Sequence, residues 1–251
     1  MKGEEIFKNG KSLILAYDQG FEHGPSMDFN LKNVDPKFIF DIALEGNYDA
    51  VAVQSGIARK YYKDNYRDIP LIVKLNGKTR FDNDDPVSRQ HTSVEEAVRL
   101  GASAVGYTIY LGSSKEQDMF VEFGKICEDA HKHGIYSVCW MYPRGPSIHD
   151  ELSTDVLSYG ARIAMELGAD VVKIKYNGDS EAMKWIVRSA GEAKVVVAGG
   201  SKTSDQEFLK MAKETMKAGA VGLAVGRNVW QNKSPLKISR ELRHIYHNSN
   251  I

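Results

Sequence analysis

The sequence predicts an α/β protein in the form of a single-domain (β/α)8 TIM barrel that occupies residues 1–251. Three observations predict this fold. The length of 251 residues is typical of one such barrel. Short apolar runs alternate with amphipathic helical patterns along the chain, and a glycine turn recurs between a helix and the next run. A Gly-x-Gly-x-x-Gly motif is missing after the first run, which disfavours a dinucleotide-binding sheet.

The recurring turn marks the passage from helix to strand. Glycine can adopt the left-handed conformation that ends a helix, and the apolar run after it suits a strand that is buried on both faces of a parallel sheet. The turn occurs four times, as Glu45-Gly46-Asn47-Tyr48-Asp49, Leu100-Gly101-Ala102-Ser103, Leu167-Gly168-Ala169-Asp170 and Ala218-Gly219-Ala220-Val221.

The remaining pattern supplies the other elements. Apolar runs predict eight strands, near residues 12–18, 50–55, 71–76, 103–110, 135–141, 170–176, 194–198 and 221–226. Amphipathic patterns predict helices over 36–45, 93–100, 115–133, 154–167, 180–190, 204–218 and 235–247. Segment 57–68 is a poor helix, segment 79–92 is predicted to be a long loop, and Ser93 with Glu96 suggests a capping box. Eight right-handed strand–helix units in this length favour a closed barrel over an open sheet.

Charge and cysteine content limit the partners and the compartment. The 33 basic residues balance 33 acidic ones, so we expect no nucleic-acid partner and no membrane partner. Cys127 and Cys139 have no ligand-like spacing, which is typical of a reducing compartment. The first residues lack the apolar stretch of a signal peptide, and no run reaches transmembrane length. The expected localisation is therefore cytoplasmic.

The sixth predicted strand carries two lysines, Lys173 and Lys175. Residues two apart on a strand share a face, so both lysines would point towards the barrel axis if either does. Burial and a neighbouring positive charge both lower the pKa of a lysine, which yields a neutral amine that can attack a carbonyl. Alternatively, one or both lysines pair with carboxylates or extend towards the barrel mouth.

Two other strand ends carry groups suited to proton transfer. Tyr142 lies at the rim of the fifth strand, where its phenol can exchange a proton with a bound hydroxyl, and Trp140 on the same face either walls a pocket or belongs to the core. Asp18 ends the first strand, and its charge needs a partner, for which Lys173 or Lys175 is the candidate. The loop residue His23 is either structural or part of the site.

Two glycine turns follow the last two strands, where barrels commonly bind phosphate. They contain Gly199 and Gly200 after the seventh strand and Gly226 and Arg227 after the eighth. Glycine lets backbone N–H groups approach an anion, and arginine adds a bidentate donor. The turns predict a phosphate site of a kind that many isomerases and synthases share; the alternative is two tight turns without a ligand. The seven histidines are scattered without metal-ligand spacing, so we expect no metal and no cofactor.

Eight ordered stretches carry a family resemblance. They are Leu15-Ala16-Tyr17-Asp18, Glu22-His23-Gly24-Pro25, Lys74-Leu75-Asn76-Gly77-Lys78-Thr79, Ser93-Val94-Glu95-Glu96-Ala97, the run 101–110, Tyr142-Pro143-Arg144-Gly145, Lys173-Ile174-Lys175-Tyr176 and the run 225–231. Through these stretches, nearly the whole chain resembles the archaeal-type class I fructose-bisphosphate aldolases of the Schiff-base aldolase superfamily. Two positions depart from the family pattern, Gln19 in place of the usual His and Ser201 in place of a frequent Pro. Both departures bear on substrate preference.

The resemblance implies a function and a role for each site residue. It implies reversible cleavage of fructose 1,6-bisphosphate to dihydroxyacetone phosphate and glyceraldehyde 3-phosphate, in glycolysis and gluconeogenesis, by a homo-oligomer that is often a decamer. Lys173 would be the Schiff-base lysine, Tyr142 the general acid and base, and Asp18 the carboxylate that assists proton transfer. The resemblance implies that Gly199, Gly200, Gly226 and Arg227 bind the phosphate of dihydroxyacetone phosphate and that Trp140 walls the pocket. Lys175, His23 and Arg144 are further predicted substrate-binding residues, of which His23 and Arg144 are the candidates for the second phosphate.

Two alternatives stay open. A related Schiff-base aldolase that makes 2-amino-3,7-dideoxy-D-threo-hept-6-ulosonate has the same lysine and tyrosine, although Trp140 and the loop 74–79 are more similar to the fructose-bisphosphate enzymes. A non-covalent phosphosugar isomerase would keep the glycine turns and use Asp18 as its base.

Overall fold

The computed structural model describes residues 1–81 and 84–248 and contains a closed barrel of eight parallel strands. Each strand pairs with its neighbours in sequence, and the eighth pairs with the first. The strands are β1 Ser12–Tyr17, β2 Ala50–Gln54, β3 Leu71–Lys74, β4 Ala104–Leu111, β5 Tyr136–Pro143, β6 Val171–Ile174, β7 Lys194–Ala198 and β8 Gly222–Val225. The predicted (β/α)8 fold class is confirmed. The extent of one domain over 1–251 stays a prediction, because 82–83 and 249–251 lie outside the described residues.

Helices follow the strands, and the longer ones pack on the outside of the barrel. They are α1 Gln19–Glu22, α2 Pro25–Asp28, α3 Pro36–Glu45, α4 Ser55–Tyr61, α5 Val94–Arg99, α6 Glu116–Lys132, α7 Thr154–Glu166, α8 Ser180–Ser189, α9 Asp205–Lys217, α10 Arg227–Trp230 and α11 Pro235–Arg243. The described residues also form two 3-10 helices (Lys2–Ile6 and Asp64–Asp68) and a π-helix (His244–Asn248). Within the part of the chain that the structure describes, no helix has the length and apolar character needed to cross a membrane.

Two sequence expectations about helices need correction. The segment 57–68, predicted to be a poor helix, includes most of α4 and a 3-10 turn, because Ala58 and Tyr62 are buried there and packing outweighs local propensity. The capping box at Ser93 is half formed: its hydroxyl accepts from the Glu96 amide at 3.2 Å, but the Glu96 carboxylate pairs with two arginines instead.

Each strand contributes to two packed layers because alternate side chains point to opposite faces. One set packs between the barrel and its helices, as Leu13 and Leu15 do. The other set fills the lumen of the barrel, and its strand members include Ile14, Ala16, Ala50, Ala52, Ile72, Ala104, Val138, Trp140, Val171, Val196 and Ala224. Burial on both faces explains why the strands are continuous apolar runs rather than alternating ones.

The lumen positions change character at the carboxyl ends of the strands. Continuing the same alternation leads to Asp18 after β1, Lys74 on β3, Tyr110 on β4, Tyr142 on β5 and Lys173 on β6. Small apolar side chains in the lower lumen thus give way to charged and phenolic groups at the mouth. The fold brings these five groups together from distant parts of the sequence.

Two aspartates occupy the opposite end of the barrel, each just before a strand. Asp49, before β2, accepts a hydrogen bond from the Leu13 amide at 2.7 Å and lies 2.7 Å from His247 Nε2. Asp170, before β6, accepts from the Ser137 amide at 2.7 Å and lies 3.0 Å from His131 Nε2. Each carboxylate therefore ties the beginnings of two neighbouring strands to a helical histidine.

Candidate active site

A cavity of about 570 Å³ opens at the carboxyl ends of the strands. Ten of the eleven site residues predicted from the sequence line it, and Trp140, which is 1% exposed, lies beneath them. The ten are Asp18, His23, Tyr142, Arg144, Lys173, Lys175, Gly199, Gly200, Gly226 and Arg227. Within residues 1–81 and 84–248, no group of three or more His, Cys, Asp or Glu side chains could hold a metal ion.

Lys173 lies in the deep part of this cavity and is 4% exposed. Its Nζ is 5.0 Å from the centre of a Trp140 ring. Burial lowers the pKa of Lys173 to about 8; the Asp18 carboxylate opposes this shift and the Lys74 ammonium adds to it. At pH 7 about a tenth of the amine is therefore neutral, compared with less than about a thousandth for an ordinary lysine. This side chain can act as a nucleophile near neutral pH.

Lys175 lies on the same face of the chain as Lys173, two residues further on, but has a different environment. It follows the last residue of β6, and its Nζ makes a 2.6 Å ion pair with Glu151 at the cavity mouth. The sequence left two interpretations of the lysine pair open, burial in the lumen and pairing with a carboxylate. The structure shows the first for Lys173 and the second for Lys175.

Trp140 forms a platform between two ammonium groups. Its ring is 5.0 Å from Lys173 Nζ and 5.4 Å from Lys74 Nζ, within the range of cation–π attraction. Gly106 on β4 leaves space for the indole, because a Cβ at this position would overlap the ring. The absence of a side chain at Gly106 on β4 therefore makes room for Trp140 on β5, the largest side chain of the lumen.

The partner of Asp18 differs from the one expected. The sequence suggested Lys173 or Lys175, but the ion pair is made by Lys74, whose Nζ lies 3.5 Å from Asp18 Oδ2 and 3.4 Å from Glu22 Oε1. Burial acts to raise the pKa of Asp18, yet the ammonium groups of Lys74 and then Lys173 hold it below its ordinary value. Asp18 is therefore ionised at neutral pH. Lys74 and Glu22 were not predicted as site residues from the sequence. Lys74 is nevertheless the last position of β3 on the face that points into the lumen.

Tyr142 faces the cavity from the end of β5, beside Tyr110, whose ring centre is 6.5 Å away. Burial, then the carboxylates of Asp18 and Glu22, raise the pKa of Tyr142 well above its ordinary value. In the unliganded protein this side chain is therefore a neutral phenol that can donate a proton.

The two glycine turns lie side by side at the cavity wall. Gly200 adopts a φ of +71°, which favours glycine. The Gly199 amide donates to Ala224 O at 2.9 Å, so it holds the turn next to β8 and is not free for a ligand. Asn228, which the sequence did not predict as a site residue, donates from Nδ2 to Gly199 O at 2.8 Å and to Ser201 O at 2.9 Å. This amide joins the two turns into one unit.

A second group of charges surrounds the rim of the cavity. Asp28 lies 2.5 Å from His23 Nδ1 and 3.6 Å from Arg227 Nη1, so one carboxylate contacts both predicted site residues. Arg144 Nε is 3.9 Å from Glu151 Oε2, the oxygen that also contacts Lys175. Acidic side chains therefore hold the basic residues of the rim in place.

A barrel with an amine of lowered pKa, an ionised carboxylate and a phenol in one cavity, next to glycine turns, belongs to the class that can form a Schiff base with a phosphorylated carbonyl compound. Residues 12–232 match the family model of the DeoC/LacD family aldolases, and the chain belongs to this family. The family resemblance predicted from the sequence is confirmed.

Individual relatives agree with this membership. The class 1 fructose-bisphosphate aldolase of Thermoproteus tenax is 50% identical over 238 residues, which cover 94% of this chain and 89% of that protein. The protein of the same name from Halobacterium salinarum is 45% identical over 232 residues, 92% of this chain and 88% of that one. A solved archaeal fructose-1,6-bisphosphate aldolase, with its catalytic lysine bound to the carbinolamine intermediate, has a TM-score of 0.92 at 48% identity and covers 98% of both chains.

Proposed function

We propose that this protein is a class I aldolase that cleaves fructose 1,6-bisphosphate reversibly to dihydroxyacetone phosphate and glyceraldehyde 3-phosphate. The observation that carries the proposal is the buried Lys173, whose lowered pKa supplies a neutral amine inside a cavity that also contains two glycine turns. The names of the relatives that are 50% and 45% identical support the choice of substrate.

In the proposed complex, the C1 phosphate binds to the unit formed by the two glycine turns. Gly200, Gly226 and Arg227 contact the anion, while Gly199 and Asn228 maintain the shape of the turns. The sugar chain extends towards the mouth, where Arg144 and Lys175 contact the second phosphate and His23 lies at the edge. This orientation brings the C2 ketone to Lys173.

Covalent chemistry begins with attack of the neutral Lys173 amine on C2, which forms a carbinolamine. The neutral Tyr142 phenol then donates its proton to the carbinolamine hydroxyl, which leaves as water and produces an iminium and a phenolate. The positive iminium stabilises the phenolate, offsetting the carboxylates that raise the pKa of Tyr142 in the free protein. Asp18, ionised beside this group, contributes negative charge that stabilises the iminium.

Bond cleavage uses the phenolate. Tyr142 accepts the proton of the C4 hydroxyl, the C3–C4 bond breaks, and its electron pair moves into the iminium to give an enamine and glyceraldehyde 3-phosphate. Tyr142 then returns the proton to C3. Water adds to the resulting iminium and gives one proton to the Tyr142 phenolate. Collapse of the carbinolamine then releases dihydroxyacetone phosphate and restores both the Lys173 amine and the neutral phenol. Protons and electrons balance over the cycle.

Borohydride trapping tests the proposal. Protein mixed with dihydroxyacetone phosphate and reduced with borohydride should gain one covalent adduct, which peptide mass mapping should locate on Lys173. Lys175→Met is a matched control, because this lysine has the same strand parity but lies at the mouth, and it should still form the adduct. An adduct on another residue would contradict the role of Lys173, and full activity in Lys173→Met would favour the non-covalent isomerase. Transfer to aspartate semialdehyde in place of fructose bisphosphate cleavage would favour the heptulosonate synthase.

We further propose that the protein is a homo-oligomer in the cytoplasm. Tyr159 on α7 and Trp185 on α8 are 63% and 60% exposed, and large aromatic side chains of this kind are enriched at interfaces. Cys127 and Cys139 are free and buried, which fits a reducing compartment. Light scattering should give a mass several times 28.0 kDa, and Trp185→Glu should reduce it. A mass of one chain, or recovery of the protein outside the cytoplasm after cell fractionation, would contradict these two proposals.

A further inference from the structure

Two buried lysines stand beside one indole ring, and the proposed reaction uses only one of them. Lys74 is 1% exposed and Lys173 is 4% exposed, and their Nζ atoms lie 5.4 Å and 5.0 Å from Trp140 rings. Burying two ammonium groups so close together is costly unless each has a function or a partner.

The two lysines differ in their ion pairs. Lys74 Nζ lies 3.5 Å from Asp18 and 3.4 Å from Glu22. Among the described residues, no ion pair within 4.0 Å involves Lys173. Both nearby carboxylates are therefore bound by the lysine that is not the nucleophile.

We propose that Lys74 is a positioning residue that keeps Lys173 nucleophilic by binding Asp18 and Glu22 itself. Without Lys74, the carboxylates of Asp18 and Glu22 would face Lys173 as the nearest cation and would favour its protonated form. A protonated amine has no lone pair with which to attack a ketone. Lys74 also adds a like charge that favours loss of the Lys173 proton. This inference rests on the proposed function of Lys173.

The same two lysines are surrounded by other titratable groups. Those that face the pair come from the residue after β1, from α1, from the segment after β3, and from β4 and β5. They are Asp18, Glu22, His91, Tyr110 and Tyr142. Burial, together with Lys74, lowers the pKa of His91, and burial first raises the pKa values of both tyrosines. Near neutral pH these three groups are therefore uncharged, which leaves the two carboxylates and Lys74 as the charges that control Lys173.

Competitive acetylation of the unliganded protein measures the proposed effect directly. Acetic anhydride reacts with neutral amines, and mass spectrometry gives the extent of Lys173 modification as a function of pH. In Lys74→Met the midpoint of this curve should move upward by about one pH unit or more, since a like charge is lost and two opposite charges are freed. Lys74→Arg retains the cation and should stay close to the original protein.

A second variant covers the case in which Lys74→Met does not fold. Glu22→Gln removes one of the two carboxylates, so the midpoint of Lys173 modification should move downward instead. The double variant Lys74→Met with Glu22→Gln should lie between the two single variants. An unchanged midpoint in Lys74→Met, or an upward shift in Glu22→Gln, would overturn the inference, whereas a purely structural role would change yield and melting temperature without moving the curve.

Failure of this inference is distinguishable from failure of the proposed function. The acetylation curve requires no substrate and no turnover, so it tests the influence of Lys74 even in an inactive protein. Borohydride trapping on Lys173 tests the function. A trapped adduct with an unmoved acetylation curve rejects only the role of Lys74, and a moved curve without an adduct rejects only the aldolase chemistry.

Discussion

The two ends of this barrel use carboxylates in opposite ways. At the amino ends of the strands, Asp49 and Asp170 each accept a backbone hydrogen bond from the neighbouring strand and lie beside a histidine. At the carboxyl ends, Asp18 and Glu22 face a buried lysine instead. One arrangement fixes the backbone, whereas the other sets the protonation of side chains in a cavity.

The energetic consequence of this difference is a division between stability and chemistry. A charged group that accepts backbone hydrogen bonds contributes about 1.5 to 3 kcal/mol to folding for each good bond. A buried lysine with a lowered pKa decreases the free energy of unfolding, because folding must overcome the cost of removing its charge from water. Substitutions at the two ends should therefore separate loss of stability from loss of activity.

The largest effect is expected from Lys173→Met at the mouth. Aldol cleavage should fall by at least about 10⁴-fold, because the covalent intermediate cannot form. The variant should also be more stable at pH 7 by about 3 kcal/mol, since the folded protein no longer holds an ammonium group whose pKa is lowered to about 8. Steady-state assays and denaturant titrations measure the two quantities.

The pH dependence of this gain follows from linkage. Between about pH 8 and the pKa of an ordinary lysine, the unfolded chain binds a proton at Lys173 that the folded chain has lost, so the stability of the original protein rises with pH. The difference from Lys173→Met should be full below pH 8 and should shrink above it. A difference that does not change with pH would mean that the lysine charge is not its source.

Gly106→Ala should have the second largest effect. The new Cβ would overlap the Trp140 ring, so the indole must move away from both lysines. We expect a loss of about 1 to 3 kcal/mol in stability from overpacking, and a loss of roughly 100-fold in kcat/KM from misplacement of the amine. Gly124→Ala is the matched control, because a Cβ on this helical glycine meets no atom within 4 Å, and it should be neutral or stabilising. Equal effects of both variants would argue against the role of the indole.

Asp49→Ala tests the other end of the barrel. It removes the acceptor of the Leu13 amide and the partner of His247, so the free energy of unfolding should fall by about 2 to 3 kcal/mol. Values of kcat/KM at temperatures where the variant remains folded should stay within about twofold of the original. Asp129→Ala, which removes an exposed i,i+3 pair with Lys132, serves as control and should leave both quantities nearly unchanged. A large loss of kcat/KM in folded Asp49→Ala would show that the two ends are coupled.

Glu151→Gln should give the smallest effect. Removing its charge frees Lys175 and Arg144 from a competing carboxylate, so KM for the doubly phosphorylated sugar should fall by about two- to fivefold at low salt. The singly phosphorylated fructose 1-phosphate offers no second anion and should show no such gain. An equal change for both sugars would place the second phosphate elsewhere.

Much of this architecture follows from local patterns in the sequence. The glycine turns and continuous apolar runs predict the strands to within a few residues, because burial on both faces requires such runs. The positions of Asp18, Tyr142 and Lys173 follow from the rule that polar side chains of a barrel gather at the carboxyl ends of the strands.

Other features depend on contacts that no local pattern encodes. Lys74 lies two strands away from Asp18. Only the three-dimensional barrel shows that Lys74 forms the ion pair with Asp18 that the sequence suggested for Lys173 or Lys175. The different environments of Lys173 and Lys175 depend on β6 ending at Ile174, which alternation alone does not specify. Asn228 joins the two turns through hydrogen bonds from its side chain to backbone carbonyls of the neighbouring turn, and these contacts form only in the folded structure.

The position of Trp140 has an optical consequence. Indole emission is sensitive to nearby charge, and this ring lies against the two ammonium groups of the lumen. The chain has three tryptophans, of which Trp185 is largely exposed and Trp230 is buried against Tyr17 and Phe29. With those two replaced by phenylalanine, the fluorescence of the protein would report the charge on its own nucleophile, without any added label.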